Sequence, residues 1–191
     1  YGSYKHKTLL YLCLVSIYIL EGIRFYVSFA CSWAFAELKQ MEGNAKIIKL
    51  IARDENLHLA ASLNIIRTLI KEDEDYVKIK EETHNEVMNL FEDALVQEEE
   101  WCDYLFGNGS MIGLNADLLK EYVRWIGAKR MRSLNYPVPF SVHQHNPLPW
   151  TEKWISGGAV QVAPQETEIT SYVLGGVTHD VDNKSFEGLS L

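Results

Sequence analysis

Leu50-Ile-Ala-Arg-Asp-Glu-Asn-Leu-His-Leu59 places Glu55 and His58 three positions apart in a stretch free of Pro and Gly. On a helix that spacing puts both side chains on one face. Carboxylate oxygen and imidazole nitrogen together suit iron and manganese. Working outward, the preceding apolar stretch contains a lone acid: Tyr18-Ile-Leu-Glu-Gly-Ile-Arg-Phe25. An ionised Glu21 buried among such neighbours is costly unless it is paired or bound to metal. Two readings of Glu21 fit: a surface ion pair with Arg24, or a metal ligand.

A lone Glu on one helix and Glu-x-x-His on the next form one half of a ferritin-like di-metal site. Such bundles take one carboxylate from each of two helices and Glu-x-x-His from each of the other two. The spacing alone is a weak signal, because Glu81 and His84 share it. They lie in Lys78-Ile-Lys-Glu-Glu-Thr-His-Asn-Glu86, a charged run that reads as a solvated face. A metal centre needs a dry, shaped shell. Asp54 fits either an acceptor for a ligating imidazole or a surface charge, and Arg53 is a candidate partner for buried carboxylates. Phe25, Phe29 and Ile51 fit either plain core or the dry lining of a reactive centre.

Periodicity and breakers predict an all-α protein. The expected helices run from Thr8 to about Gln40, Asn44 to about Lys71, Tyr76 to about Phe106, and from an Asn115 cap to about Ser133. Their length points to a bundle. All five prolines lie after residue 136, so that part cannot be long helix. Three regions follow: a bundle portion over 1–136, an irregular Pro-containing segment over 137–164, and a tail over 165–191. The tail is polar enough to read as flexible. Its apolar end, Phe186-Glu-Gly-Leu-Ser-Leu191, reads either as a plain terminus or as an anchor for a partner's groove.

The net charge of -8, without a basic cluster, makes nucleic acid or an anionic membrane a poor partner. Lys5-His6-Lys7 before an apolar run imitates a signal peptide, but no small-residue cleavage site follows. Glu21 and Arg24 also weaken a membrane-spanning reading. Cys13, Cys31 and Cys102 form no C-x-x-C pair and sit in helix-like stretches, so buried, reduced thiols in a cytoplasmic protein are expected. A chain starting at Tyr1 is read as a fragment or as part of something longer.

Longer motifs carry a resemblance. Glu21-Gly-Ile-Arg-Phe-Tyr-Val-Ser-Phe-Ala-Cys-Ser32 is similar to the radical-generating small (beta) subunit of class I ribonucleotide reductase. So are the run from Met41 through Leu59, Gly109-Ser-Met-Ile-Gly-Leu-Asn115, Asn146-Pro-Leu-Pro-Trp150 and Val160-Gln-Val-Ala-Pro-Gln-Glu166. The likeness is to the enteric-bacterial and phage form, covers nearly the whole chain, and corresponds to the C-terminal half of that subunit.

The resemblance implies a ferritin-like bundle with Glu21, Glu55 and His58 as ligands of a di-iron centre, manganese being possible. Phe25, Phe29 and Ile51 would surround the family's tyrosyl radical. Asp54 would belong to the radical-transfer chain, and Tyr172, assisted by Glu166, would relay the radical out of the tail. The tail would dock on the large (alpha) subunit, where ribonucleoside diphosphates are reduced to deoxyribonucleotides. A homodimer of the full subunit is also implied. The family's other carboxylate helix, its other Glu-x-x-His and its radical tyrosine have no counterpart in this chain. A different ferritin-like di-iron oxidase, or a module that only binds the large subunit, are the competing readings.

Overall fold

The four helix-like stretches all become helical, but two of them break where neither Pro nor an internal Gly demands it. The computed structural model describes residues 2–155. The first stretch forms α1 (Tyr4–Ile23) and α2 (Tyr26–Glu37), and the second forms α3 (Glu42–Glu72). The third forms α4 (Glu74–Glu82) and α5 (His84–Phe106), and the fourth is α6 (Ala116–Ser133). The order ends with a single 3-10 turn at Pro149–Thr151 and a short α7 (Glu152–Ile155). No strand is present among the described residues; Met111 and Leu114 form one isolated bridge.

Local chemistry explains the ends. Ser3 caps α1 by accepting the His6 N–H at 3.3 Å. Asn115 caps α6 as expected, its Oδ1 accepting the Leu118 N–H at 2.8 Å. The α4/α5 break falls at Thr83, whose hydroxyl donates back to the Ile79 carbonyl at 2.6 Å. Threonine bonding to the carbonyl four residues earlier competes with the regular ladder. The α1/α2 break falls at Arg24–Phe25. There the carbonyl of Gly22, in the last turn of α1, accepts Arg130 Nε of α6 at 3.1 Å. A side chain inserted into the ladder is an established cause of such a break.

Helix α1 packs against α3, α4, α5 and α6, and α5 lies along α6. A stripe of Tyr11, Val15, Ile19 and Ile23 meets Ile66 of α3, Phe91 and Leu95 of α5, and Val123 and Ile126 of α6 in one buried core. A smaller cluster joins Phe29, Trp33 and Ala36 of α2 to Ala45 and Ala52 of α3. Trp154 of α7 stacks on Trp33, with ring centroids 6.2 Å apart. The described part of the Pro-containing segment, 137–155, has only the 3-10 turn and α7 as regular structure, yet it is firmly attached. Asn146 Oδ1 accepts the Leu148 N–H at 2.9 Å, and Trp154 Nε1 donates to Glu37 at 2.9 Å.

The Tyr4–Glu37 stretch is long and apolar enough to cross a membrane by length and composition. Here its core stripe is spent on neighbouring helices, and it is interrupted at Arg24–Phe25. The cysteine expectation needs one correction. All three thiols are free, but only Cys102 is buried; Cys31 is half-buried and Cys13 is exposed. Cys13 lies on α1 away from the Tyr11–Val15 stripe, so its helix placement did not guarantee burial.

Candidate metal centre

Glu21 stands in the last turns of α1, and Glu55 and His58 lie midway along α3. Because α1 packs along α3, the three side chains converge. One donor atom from each falls within 4.8 Å of the others. His58 Nδ1 lies 3.2 Å from Glu55 Oε2 and 3.7 Å from Glu21 Oε1. The carboxylate side chains keep 17% and 18% of their surface, whereas the imidazole keeps 57%. The cluster is therefore set into the α1–α3 surface on its acid side and open on its histidine side.

The alternative pairing of Glu21 with Arg24 does not form the site. Arg24 Nη1 donates to Gln97 of α5, while Glu21 Oε2 accepts the Ser62 hydroxyl at 3.4 Å. Ser62 sits one turn beyond His58, so its position was readable as a polar residue on the ligand face. Asp54 is exposed and accepts from Arg53, Nε at 3.3 Å and Nη2 at 3.2 Å.

Phe25 and Phe29 stack at 5.9 Å and extend the aromatic line to Trp33 at 5.7 Å. Ile51, one turn before Glu55, is 40% exposed and stands apart from the buried Phe29 cluster. Glu166 and Tyr172 lie outside the described residues.

Behind the Glu21–Glu55–His58 cluster lies a network with no sequence signature. Arg130 Nη2 donates to the Tyr26 hydroxyl at 3.1 Å, which donates to Asn56 Oδ1 at 3.1 Å. Burial holds the Tyr26 phenol above its usual pKa, with Arg130 opposing in part. The hydroxyl thus keeps its proton for Asn56. The sequence separation of 104 between Tyr26 and Arg130 puts this contact beyond any spacing rule.

The profile of a family described as "Ribonucleotide reductase, small chain" matches residues 2–147. The chain belongs to the ribonucleotide reductase small-chain family. It is 50% identical over 187 residues to the ribonucleoside-diphosphate reductase subunit beta of Haemophilus influenzae, covering 97% of this chain and 50% of that protein. Against the subunit beta of Enterobacteria phage T4 it is 41% identical, covering 92% and 46%. The solved ribonucleotide reductase R2 subunit from Clostridium botulinum superposes with a TM-score of 0.63 at 26% identity, over 74% of this chain and 44% of that one. The chain spans about half the length of the curated relatives it matches.

As a small-chain family member, the protein also discards its decoy. Glu81 ends up on α4 and His84 opens α5, with the Thr83 break between them. His84 is half-buried and stacks on Tyr136 at 5.3 Å, so it leaves the solvated face expected for it. Among the described residues, Glu21, Glu55 and His58 form the one Glu/His/Asp/Cys group of three or more placed to hold a metal. Its donor chemistry, two carboxylates and one imidazole, fits the iron or manganese of a carboxylate-rich site.

Proposed function

We propose that this chain contributes Glu21, Glu55 and His58 to the di-metal centre of a ribonucleoside-diphosphate reductase small subunit. The observation that carries the reading is the convergence of these three donors in a chain of the small-chain family. They are one Glu and one Glu-x-x-His of the two sets such a centre uses, so the rest of the ligands come from elsewhere. When bound, the centre supplies one-electron oxidising chemistry, which the protein confines and orients.

The chain's own residues have separate tasks. Glu21 and Glu55 bring negative charge to balance the cations, and Ser62 orients one oxygen of Glu21. Phe25 and Phe29 keep water from one side, with Ile51 joining them once its exposed face is covered. Asp54, held by Arg53, belongs to the hydrogen-bonded chain that passes the radical toward the large subunit, and Tyr172, assisted by Glu166, relays it from the tail. The tail over 165–191 docks there, the helices over 1–136 hold the metal, and the segment over 137–164 joins them. The full small subunit acts as a cytoplasmic homodimer.

Cobalt(II) titration, followed by visible absorption, tests the ligand assignment. The expected outcome is uptake by the wild-type chain and at least a tenfold weaker uptake by His58→Ala, of the order seen when ligand-shell groups are removed. Equal uptake by both proteins would sink the assignment.

A further inference from the structure

Each of the three ligands is followed in sequence by a residue that is less exposed than His58: Gly22 after Glu21, Asn56 after Glu55, Leu59 after His58. Gly22 and Asn56 meet one network built on Arg130 of α6, and Leu59 packs against Gly22. Arg130 Nε donates to the Gly22 carbonyl at 3.1 Å. Its Nη2 donates to the Tyr26 hydroxyl at 3.1 Å, and that hydroxyl donates to Asn56 Oδ1 at 3.1 Å. Its guanidinium also lies 5.5 Å from the Tyr26 ring centroid. A Cβ on Gly22 would sit 2.9 Å from Leu59 Cδ1 and 3.2 Å from Arg130 Nε, so α1 and α3 touch here with no slack. Arg130 is itself held by its backbone, whose carbonyl accepts the Tyr18 hydroxyl at 3.3 Å.

We infer that Arg130 is a positioning residue for the metal centre, acting through Gly22, Tyr26 and Asn56. The inference rests on the metal-binding reading proposed above. The chemistry requires arginine in particular. One planar group must donate in two directions at once, to a backbone carbonyl where α1 breaks and to a phenol at the start of α2. Lysine has donors of its own but no rigid fork, so it cannot fix both angles. The guanidinium therefore sets where α1 stops relative to α3, and with it the distance between Glu21 and the Glu55/His58 pair. The Tyr26–Asn56 bond ties the other side of the break to the same turn of α3. Groups that orient ligands from behind in this way commonly govern affinity as strongly as some ligands do.

The test uses the whole 191-residue chain and cobalt(II) as probe. Arg130→Met, Arg130→Lys and Tyr26→Phe are compared with wild type by dissociation constant and by the d–d spectrum at saturating metal. Far-UV helix content checks folding. The expected result is about a tenfold weaker constant for Arg130→Met. A shifted spectrum at saturation should accompany it, with Arg130→Lys only partly restored and Tyr26→Phe shifted in the same sense.

A purely structural Arg130 would lower thermal stability but leave the saturated spectrum at its wild-type position, and that outcome overturns the inference. If Arg130→Met does not fold, Tyr26→Phe decides, since it removes one hydroxyl: a wild-type spectrum and constant overturn the proposal. If wild-type protein takes up no cobalt, the metal-binding reading itself fails and this inference falls with it.

Discussion

A buried carboxyl that the metal centre does not use shows how a single side chain sets a property of the fold. Glu98 of α5 is 7% exposed, and its Oε2 has no hydrogen-bond partner among the described residues. Burial pushes its pKa from 4.5 up to about 7, with Arg24 pulling weakly the other way. The folded state therefore holds this proton more tightly than the unfolded chain. Its contribution is fully present below about pH 4.5 and is lost as pH rises through 7. Between pH 5 and 8 the wild type should lose on the order of 2 kcal/mol relative to Glu98→Gln, whose profile lacks this slope. Urea unfolding at the two pH values measures the difference. Parallel profiles would show that Glu98 stays ionised in the fold.

At the scale of elements, Asn115 and Thr83 act in opposite directions: one begins a helix and the other ends one. Asn115→Ala removes the acceptor for the Leu118 N–H and should cost about 1 kcal/mol, read as a lower urea midpoint at unchanged slope. No measurable shift would mean that water replaces the cap.

The existence of the helices and the Asn115 start were legible because they rest on apolar period and local capping. The breaks were not. Thr83 needs a hydroxyl turned inward to the Ile79 carbonyl, and Arg24–Phe25 needs Arg130 from a helix more than a hundred residues away. Neither contains Pro, and Gly22 marks the second only through its contact with Arg130, which spacing cannot show.

At the scale of the molecule, the convergence of Glu21, Glu55 and His58 was legible, because all three sit inside long motifs that resemble the small-chain family. What lies behind them was not, since Tyr26, Asn56 and Arg130 become neighbours only after α2, α3 and α6 pack. The exposed side of His58 was equally invisible to spacing, which fixes an angle but not what covers it.

The role proposed for the tail belongs to this scale, because it requires an assembly. If Tyr172 relays a radical, Tyr172→Phe in the complete small subunit should abolish nucleotide reduction with the large subunit while leaving metal content unchanged. Undiminished turnover would remove Tyr172 from the pathway.

The close approach at Gly22 carries a consequence for how this sequence can drift. Position 22 has no space for a methyl group unless Leu59 or Arg130 yields, and those residues belong to two other helices. A change at 22 is therefore accommodated by a shift of the Leu59 or Arg130 side chain, or by a smaller residue at 59 or a shorter one at 130. Three positions scattered over the chain thus share one space, and what each can hold is read from that space rather than from any one of them.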